Sequence, residues 1–234
     1  MRWKIISVLA IGFVVRVFGS NPSTITSALG RAYIPTGFDD NDKVQVTVAG
    51  TFPDTCYRTG PILAEMDETA KTVTLKHQAY HYEGFCLQLA VPYSMVTDLG
   101  ILHAADYSVV DAATQKNLGH LKVSRATTTS PDDFLYAPVE DAYTREEDGT
   151  HYLYLKGNFP NRCMHVDQIQ MHYYPDVIVV QAIARTDNPD RNSCGSTPVR
   201  FQQRVPIKAG VQGTFLLHVR VMNGQAINKL VEIP

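Results

Sequence analysis

One short turn of the sequence carries side chains that could bind a metal ion. Asp39, Asp40 and Asp42 lie within four consecutive positions, and a second acidic run follows at residues 145–149. Ca²⁺ binds about six to eight oxygen atoms, which closely spaced carboxylates can supply. The first hypothesis is therefore a calcium site at Asp39, Asp40 and Asp42. The alternative is an ordinary acidic turn, because the spacing fits no EF-hand loop and aspartate is a common turn former.

Two Met-His pairs, at residues 164–165 and 171–172, raise the hypothesis of a copper site. Thioether and imidazole groups are both ligands that copper accepts. Neighbouring residues of a strand point to opposite faces of the sheet, however, so each pair would be split. We expect the methionines to fill a core instead.

His77 and His81 fall in phase with Val73 and Leu75 if the chain is a regular strand here. Two histidines four residues apart along a strand do not easily chelate one ion without a third ligand. The later part of the chain has no matching pair. We therefore expect half-buried histidines with hydrogen-bond partners rather than metal ligands.

Four tyrosines at i, i+2 spacing are candidates for binding. Tyr80 and Tyr82 share one strand face, and so do Tyr152 and Tyr154, whose face is opposite that of two leucines. An exposed pair of aromatic rings can stack on a glycan or contact a protein. The alternative is that these rings cover the boundary between two domains.

No motif of a known catalytic mechanism occurs in the sequence. It has no Gly-x-Ser-x-Gly, His-Glu-x-x-His, Walker loop or Gly-x-Gly-x-x-Gly. A Ser-His-Asp set needs no proximity in sequence, and nothing singles one out. The formal net charge is −2, from 21 Lys+Arg and 23 Asp+Glu, which does not favour nucleic acid as a partner. We expect neither an enzyme nor a nucleic-acid-binding protein, and no cofactor apart from the calcium or copper alternatives.

The elements that must position these residues occur twice. Gly-Thr-Phe-Pro-Asp-Thr-Cys at residues 50–56 recurs as Gly-Asn-Phe-Pro-Asn-Arg-Cys at 157–163, a shift of 107. We align the Val-Pro pair at 91–92 with that at 205–206, and Tyr-Ile-Pro at 33–35 with Tyr-Ala-Pro at 136–138. The repeat predicts two homologous domains, residues 20–127 and 128–234.

Each copy alternates apolar and polar residues with a period of two. The pattern predicts strands near residues 43–48, 71–76, 151–156 and 217–221, and residues 176–180 are apolar on both faces, as in a central strand. Turn residues separate these short strands, and no segment has a helical apolar stripe. Each copy also has the size of an immunoglobulin domain. The predicted fold is all-β, with two tandem immunoglobulin-like β-sandwiches.

Four cysteines allow three disulfide pairings, and the repeat selects one of them. Cys56 with Cys86 and Cys163 with Cys194 give each copy one internal bridge. A metal site or a catalytic thiol is the alternative, but no Cys-x-x-Cys occurs and both copies place their cysteines alike. We predict two structural disulfides.

The first nineteen residues predict a secretory signal peptide. A basic start is followed by the apolar run at residues 5–15, which is too short to span a membrane, and cleavage is expected after Gly19. Removing residues 1–19 deletes three of the 21 basic residues and no acidic one, so the mature chain has 18 basic against 23 acidic residues, a net charge of −5. We expect a periplasmic or secreted protein that is not inserted in the membrane after cleavage.

The duplicated Gly-x-Phe-Pro-x-x-Cys frame, with a second cysteine shortly before a Val-Pro strand, resembles bacterial exported β-sandwich modules. The resemblance covers almost the whole mature chain, twice. It implies an immunoglobulin-like fold in an extracytoplasmic bacterial protein and no particular activity.

The expected function is that of a non-enzymatic binding or structural component of a bacterial envelope or surface assembly. A protein of the envelope or cell surface is the expected partner, and open sheet edges offer strand addition to it. The alternative is a periplasmic protein that binds calcium, copper or a small ligand.

Overall fold

Nearly all regular secondary structure is β-strand in this computed structural model, which describes residues 21–187 and 191–234. The predicted signal peptide therefore lies outside the described residues. The all-β prediction is confirmed, and each of the five predicted strands overlaps an observed one. Among the described residues, the one helical element is a single turn, α1 (Arg191–Cys194).

Residues 21–127, called the first half below, form two sheets. Strand β6 pairs with β5 along one edge. Along its other edge, β1 pairs with residues 77–81 and β8 with residues 72–75, and β9 and then β3 follow β8 in the same sheet. The second sheet has the order β2-β4-β7. The strands are β1 (Ser23–Ser27), β2 (Arg31–Tyr33), β3 (Phe38–Asp39), β4 (Val44–Phe52), β5 (Tyr57–Asp67), β6 (Thr72–His81), β7 (Val91–Gly100), β8 (Ala105–Asp111) and β9 (Asn117–Ser124).

Residues 128–234, the second half, repeat this arrangement. One sheet has the order β12-β13-β15-β16 and the other β10-β11-β14. Every ladder between described residues joins strands of the same half. The strands are β10 (Val139–Glu147), β11 (Thr150–Phe159), β12 (Met164–Tyr173), β13 (Val177–Thr186), β14 (Val199–Pro206), β15 (Gly213–Val221) and β16 (Gln225–Ile233).

Both halves contain a parallel strand pair. Strand β6 runs parallel to β8, and β13 runs parallel to β15. Immunoglobulin domains consist of two antiparallel sheets, so the strand order of each half differs from immunoglobulin order at this point. What the structure shows is an all-β fold of several sheets with an unusual parallel pair repeated in each half.

The pairing registers correct two details of the sequence alignment. Val91 lies opposite Phe52, and Val199 lies opposite Phe159, so Val91 corresponds to Val199 and not to Val205. The shift is then 108, the same as between Cys86 and Cys194. The aligned Val-Pro pairs were misleading because a dipeptide recurs easily by chance.

The second correction concerns the start of each copy. Tyr33 pairs with Thr47, and Tyr143 pairs with Tyr154, which lies 107 positions after Thr47. Tyr33 therefore corresponds to Tyr143, and the match with Tyr136 is wrong. Tyr136 instead forms an isolated antiparallel bridge with Ile183 of β13. In the first half, β1 pairs with the corresponding part of β6.

Each half has a core between its two sheets, as the alternating pattern requires. In the first half, Val44, Val46 and Val48 of β4 face Val73 and Leu75 of β6 in one buried cluster. The second half buries the corresponding set of side chains. Both predicted disulfides are formed, with Cα–Cα distances of 5.4 Å for Cys56–Cys86 and 5.3 Å for Cys163–Cys194.

A third apolar cluster joins the two halves and is called the seam below. Tyr33 and Ala49 of the first half pack against Val177, Val179 and Leu216 of the second. Val177 and Val179 lie on the face of β13 opposite that of Ile178 and Val180, which belong to the second core. Strand β13 is thus buried on both faces, which explains why its sequence has no polar alternation.

Candidate functional site

The most distinct cavity of the first half lies where two edge strands of its opposite sheets meet. In the described chain, β5 pairs only with β6, and β7 pairs only with β4. Between β5 and β7 is a cavity of about 460 Å³, called the cleft below. Its walls include Phe52, Tyr57, Thr59, Val91, Tyr93 and Ser94.

Aromatic rings form the inner wall of the cleft. The ring centroids of Phe52 and Tyr93 lie 4.6 Å apart, and those of Phe52 and Tyr57 lie 5.4 Å apart. The Tyr93 hydroxyl donates a hydrogen bond to the carbonyl oxygen of Ala28 at 3.2 Å. The rings are therefore held in place, and they present an apolar wall of fixed shape.

His77 lies directly behind this wall. Its ring centroid is 4.8 Å from that of Tyr93 and 5.9 Å from that of Phe52, and its side chain is 0% exposed. Neither ring nitrogen has a hydrogen-bond partner among the described residues. Burial lowers the pKa of His77, so the ring is neutral at neutral pH.

The prediction for the histidines was partly wrong. His77 and His81 do share a face with Val73 and Leu75, but His77 is completely buried and unpaired rather than half-buried and hydrogen-bonded. An unpaired buried polar group costs about 1–3 kcal/mol, and natural proteins keep such groups mostly at special positions. The corresponding residue of the second half is Ala182, which fills the place without that cost.

The edge strand of the second half closes its core where that of the first half does not. Met164, Val166, Ile169, Met171 and Tyr173 of β12 all pack against the second core. Their counterparts in β5, through the same shift of 107, are Tyr57, Thr59, Ile62, Ala64 and Met66.

Of the β5 residues, Ile62 and Ala64 pack against the first core, whereas Thr59 and Met66 are exposed although they point to the inner face. The Tyr173 hydroxyl of the second half also accepts a hydrogen bond from the backbone N–H of Lys208 at 3.0 Å, which ties β12 to the loop after β14 of the opposite sheet. Methionine, at the matching position 66, has no such group. The inner face of β5 is therefore less completely covered than that of β12, at Thr59, which lines the cleft, and at Met66.

An apolar loop continues the surface of the cleft. Phe85 is 92% exposed, and Leu87 and Leu89 are 56% and 61% exposed. Cys86 ties this loop to Cys56 at the start of β5. Thr55 holds it from the same side, since its N–H donates to the Leu87 carbonyl and its hydroxyl accepts from the Leu87 N–H. Adjacent exposed apolar side chains are a feature of interaction surfaces.

The acidic turn has a structural use in this fold. Asp42 is buried and accepts hydrogen bonds from the backbone N–H of Asp39 at 2.9 Å and from the Arg220 guanidinium at 3.0 Å. Asp40 accepts one from the backbone N–H of Ala126 at 2.8 Å.

Within the described residues, the oxygens of Asp39, Asp40 and Asp42 do not converge as a set of three ligand atoms. Burial raises the pKa values of Asp39 and Asp42, and Asp133 adds to the rise at Asp39. The calcium site stays a prediction. One of its three expected ligands, Asp42, is already bound to Arg220.

A polar network at the seam was not predicted. Arg220 is bound to Asp42 and to the Gly37 carbonyl of the first half. His218 donates from Nδ1 to Asn228 at 2.7 Å, and the Asn228 amide donates to Gln45 at 2.8 Å. Burial and the nearby Arg220 charge lower the pKa of His218 to about 4. The sequence indicates this network only through His218, Arg220 and Asn228, which are polar residues on strands that otherwise pack largely in the core.

The Met-His pairs are split between two environments, as strand geometry requires. Met164 and Met171 pack against the second core. His165 contacts Asp187 at 3.2 Å, and His172 is exposed. The structure does not bring the two pairs together, so the expected role of the methionines as core residues fits their positions.

The four candidate tyrosines do not form one surface. Tyr80 is half-buried and Tyr82 is exposed on β6 and the following loop. Tyr152 and Tyr154 lie opposite the leucines as predicted, but Tyr154 is only 6% exposed because it stacks on Tyr143 with centroids 5.1 Å apart. Tyr152 and Tyr154 therefore do not form an exposed pair of rings.

The flat faces of the neighbouring rings are also occupied. The Arg204 guanidinium lies 4.5 Å from the Tyr152 ring centroid, and the Lys156 ammonium lies 4.7 Å from that of Tyr143. The Tyr154 hydroxyl donates to Glu147, and this bond lowers the pKa of that carboxyl. These contacts leave little ring surface for stacking on a glycan, and the binding role of the tyrosines stays a prediction.

One group of metal-ligand atoms occurs among the described residues, at Asp54, Cys56 and Cys86. Both sulfurs are joined in the disulfide, so the group cannot bind a metal ion as thiolates while the bridge is intact. In the described part of the chain, no helix is long and apolar enough to cross a membrane.

In the sequence, the residues of the cleft stand out only as parts of the repeat. Phe52 belongs to the Gly-x-Phe-Pro-x-x-Cys frame, and Tyr93 follows the Val-Pro pair. The open inner-face position of Thr59 has no signal in the sequence, because only the pairing registers align it with Val166. Comparison with known proteins identifies no relative, because the chain matches no family model, no curated protein and no solved structure.

Proposed function

We propose that the protein is a non-enzymatic binding protein that acts outside the cytoplasm and holds a partner protein at the cleft of its first half. The observation that carries this proposal is the difference between two copies of one fold. The second half closes its edge with the side chains of β12, and the first half leaves a cavity of about 460 Å³ at the matching edge. Cavities with apolar walls and few polar groups are typical binding sites.

The surface around the cleft fits a protein partner better than a small molecule. The cavity is open on the side of two edge strands, and the loop with Phe85, Leu87 and Leu89 extends its apolar surface. Edge strands can pair with a strand of another chain, so backbone hydrogen bonds add to side-chain contacts. The second half serves in this proposal as a support that the seam holds against the first.

We infer a periplasmic or secreted protein of a bacterial envelope or surface assembly. The two disulfides indicate an oxidising compartment, and the predicted signal peptide and the resemblance to exported β-sandwich modules support the finer location. We also propose that residues 20–127 and 128–234 are two β-sandwich modules of immunoglobulin-like size. Separate cores and the confinement of described ladders to one half support this division.

Site-specific photo-crosslinking in the source cells tests the proposed function. The photoreactive residue p-benzoylphenylalanine replaces Ser94 beside the cleft or, as the matched control, Gln202 at the corresponding position of β14. We expect a discrete crosslinked protein at Ser94 that is absent at Gln202. Equal crosslinking at both positions, or none at Ser94 while the protein is correctly exported, would overturn the proposal.

A further inference from the structure

The second half shows what fills the edge of this fold when it is complete. Met164, Val166 and Met171 of β12 pack apolar side chains against the second core. In the first half, Thr59, at the position of Val166, stays exposed and lines the cleft, whose walls at Phe52, Val91 and Tyr93 are apolar. A complementary occupant of the first half must therefore supply aliphatic groups to these walls. Such groups can enter a strand-lined cavity from every second residue of an extended chain, since alternate side chains share one face.

Charge supplies a second property of the occupant. Glu65 and Asp67 are exposed near the end of β5, and Glu68 is exposed in the turn that follows. The matching positions of the second half carry His172, Tyr174 and Pro175, none of them acidic. Asp176, which follows them, is paired with Arg31 of the first half. The open edge thus ends in three exposed carboxylates, which the matching end of β12 does not have. A chain bound along β5 gains from lysine or arginine at this end.

Resting on the proposed function, we propose that the partner binds as an extended segment along β5, with aliphatic side chains in the cleft and basic residues beside Glu65, Asp67 and Glu68. The aliphatic groups cover the apolar walls at Phe52, Val91 and Tyr93, and the basic residues lie at the other end of β5. The edge of β5 contributes backbone groups to the segment, except at Pro61, which has no N–H to donate. The bulge at Gly60 and Pro61 therefore divides the pairing surface into two short stretches.

Fluorescence anisotropy with a synthetic peptide tests this inference on the mature protein, residues 20–234. The probe is a labelled decapeptide that alternates valine or methionine with threonine and ends in two lysines. One control peptide replaces the aliphatic residues by serine, and another replaces the lysines by glutamate. We expect the probe to bind at least about tenfold more tightly than either control, and its binding to weaken with added salt.

Variants of the protein locate the binding. Thr59→Phe places an aromatic ring in the cleft, which Thr59 lines, and we expect the probe to bind about tenfold more weakly. The matched control, Thr127→Phe, makes the same change at an exposed position outside the cleft and leaves affinity unchanged. Ser94→Phe, on the β7 wall of the cleft, is a second variant should the first fold poorly.

Two results overturn the inference. One is equal binding of the aliphatic and serine peptides, and the other is unchanged affinity in both edge variants when circular dichroism shows them folded. If the peptide fails while photo-crosslinking at Ser94 still identifies a partner, the inferred chemistry of the segment is wrong and the proposed function stands. If both experiments fail, the proposed function is wrong as well.

Discussion

The ring of Tyr93 lies over Gly50, directly opposite it on the neighbouring strand. Phe201 covers Gly157 in the same register, and a Cβ at Gly157 would lie 2.8 Å from the Phe201 ring. The glycine of each repeated Gly-x-Phe-Pro-x-x-Cys frame thus provides the space for an aromatic ring from the next strand. The repeat therefore records a packing requirement as well as a disulfide.

We predict that Gly50→Ala and Gly157→Ala both destabilise the protein. Each added methyl group overlaps an aromatic ring, and overpacking of this kind costs about 1–3 kcal/mol. Gly157→Ala is the more harmful, because its Cβ also meets the backbone oxygen of Pro138, which cannot turn away. Urea denaturation measures the free energy of unfolding, with Ser94→Ala as the surface control. Equal stability of all variants contradicts the packing described for this frame.

The seam depends on a buried ion pair. Asp42 and Arg220 come from different halves, and their side chains are 8% and 7% exposed. We predict that Asp42→Asn lowers the free energy of unfolding by about 3–5 kcal/mol, because Arg220 loses its nearest carboxylate in a buried place. Asp141→Asn breaks the exposed pair with Lys229 and is expected to cost less than about 1 kcal/mol. A similar loss in both variants would show that the seam does not need this pair.

Acid is expected to weaken the protein through its buried histidines. The pKa of His218 is lowered to about 4 in the folded protein, and the unfolded value is about 6.5. As pH falls, the unfolded chain binds this proton first, so the free energy of unfolding decreases between about pH 6.5 and 4, by roughly 3 kcal/mol. His77, with its pKa also lowered, acts in the same direction.

Asp39 and Asp42 oppose this trend only in the carboxylate range, because burial raises their pKa values in the folded protein. Denaturation curves recorded from pH 7.5 to 4.5 check the prediction. His218→Asn keeps a hydrogen-bonding group near Asn228 and removes the titration, so its stability should vary less with pH. A variant with the same pH dependence as the original protein would show that His218 is not the titrating group.

The two disulfides are expected to differ in their effect on binding. Removing either pair by alanine substitution lowers stability by about 2–5 kcal/mol. Loss of Cys56–Cys86 also releases the loop of Phe85, Leu87 and Leu89 from the cleft, so peptide binding should fall as well. Cys163→Ala with Cys194→Ala is the matched control and should retain binding under conditions where it stays folded. Equal loss of binding in both variants would show that the loop is not part of the binding surface.

The strands and both disulfides could be predicted because their signals are local or repeated. Alternation at residues 43–48 identifies β4, and the repeated frame selects Cys56–Cys86 over the other pairings. The parallel pairing of β6 with β8 could not be predicted, because alternation reports which face is buried and not which strand lies beside it.

The cleft was missed for a related reason. Thr59 is an unremarkable residue of an edge strand, and only the register that aligns it with Val166 shows that it lies on the inner face. The sequence around Asp42 predicts a metal ligand because it shows only the neighbouring carboxylates. The true partner of Asp42, Arg220, lies 178 residues further along the chain. Long-range pairs of this kind leave no pattern in the sequence.

Hydrogen–deuterium exchange of the mature protein, with and without the aliphatic decapeptide, tests the central claim most directly. A segment bound along the open edge protects backbone amides that are exposed there in the free protein. The account predicts slower exchange in β5 and at the start of β7, and unchanged exchange in β12 and β14. Protection of β12 and β14 to the same degree, or protection confined to the face of Tyr143 and Tyr152, would contradict it.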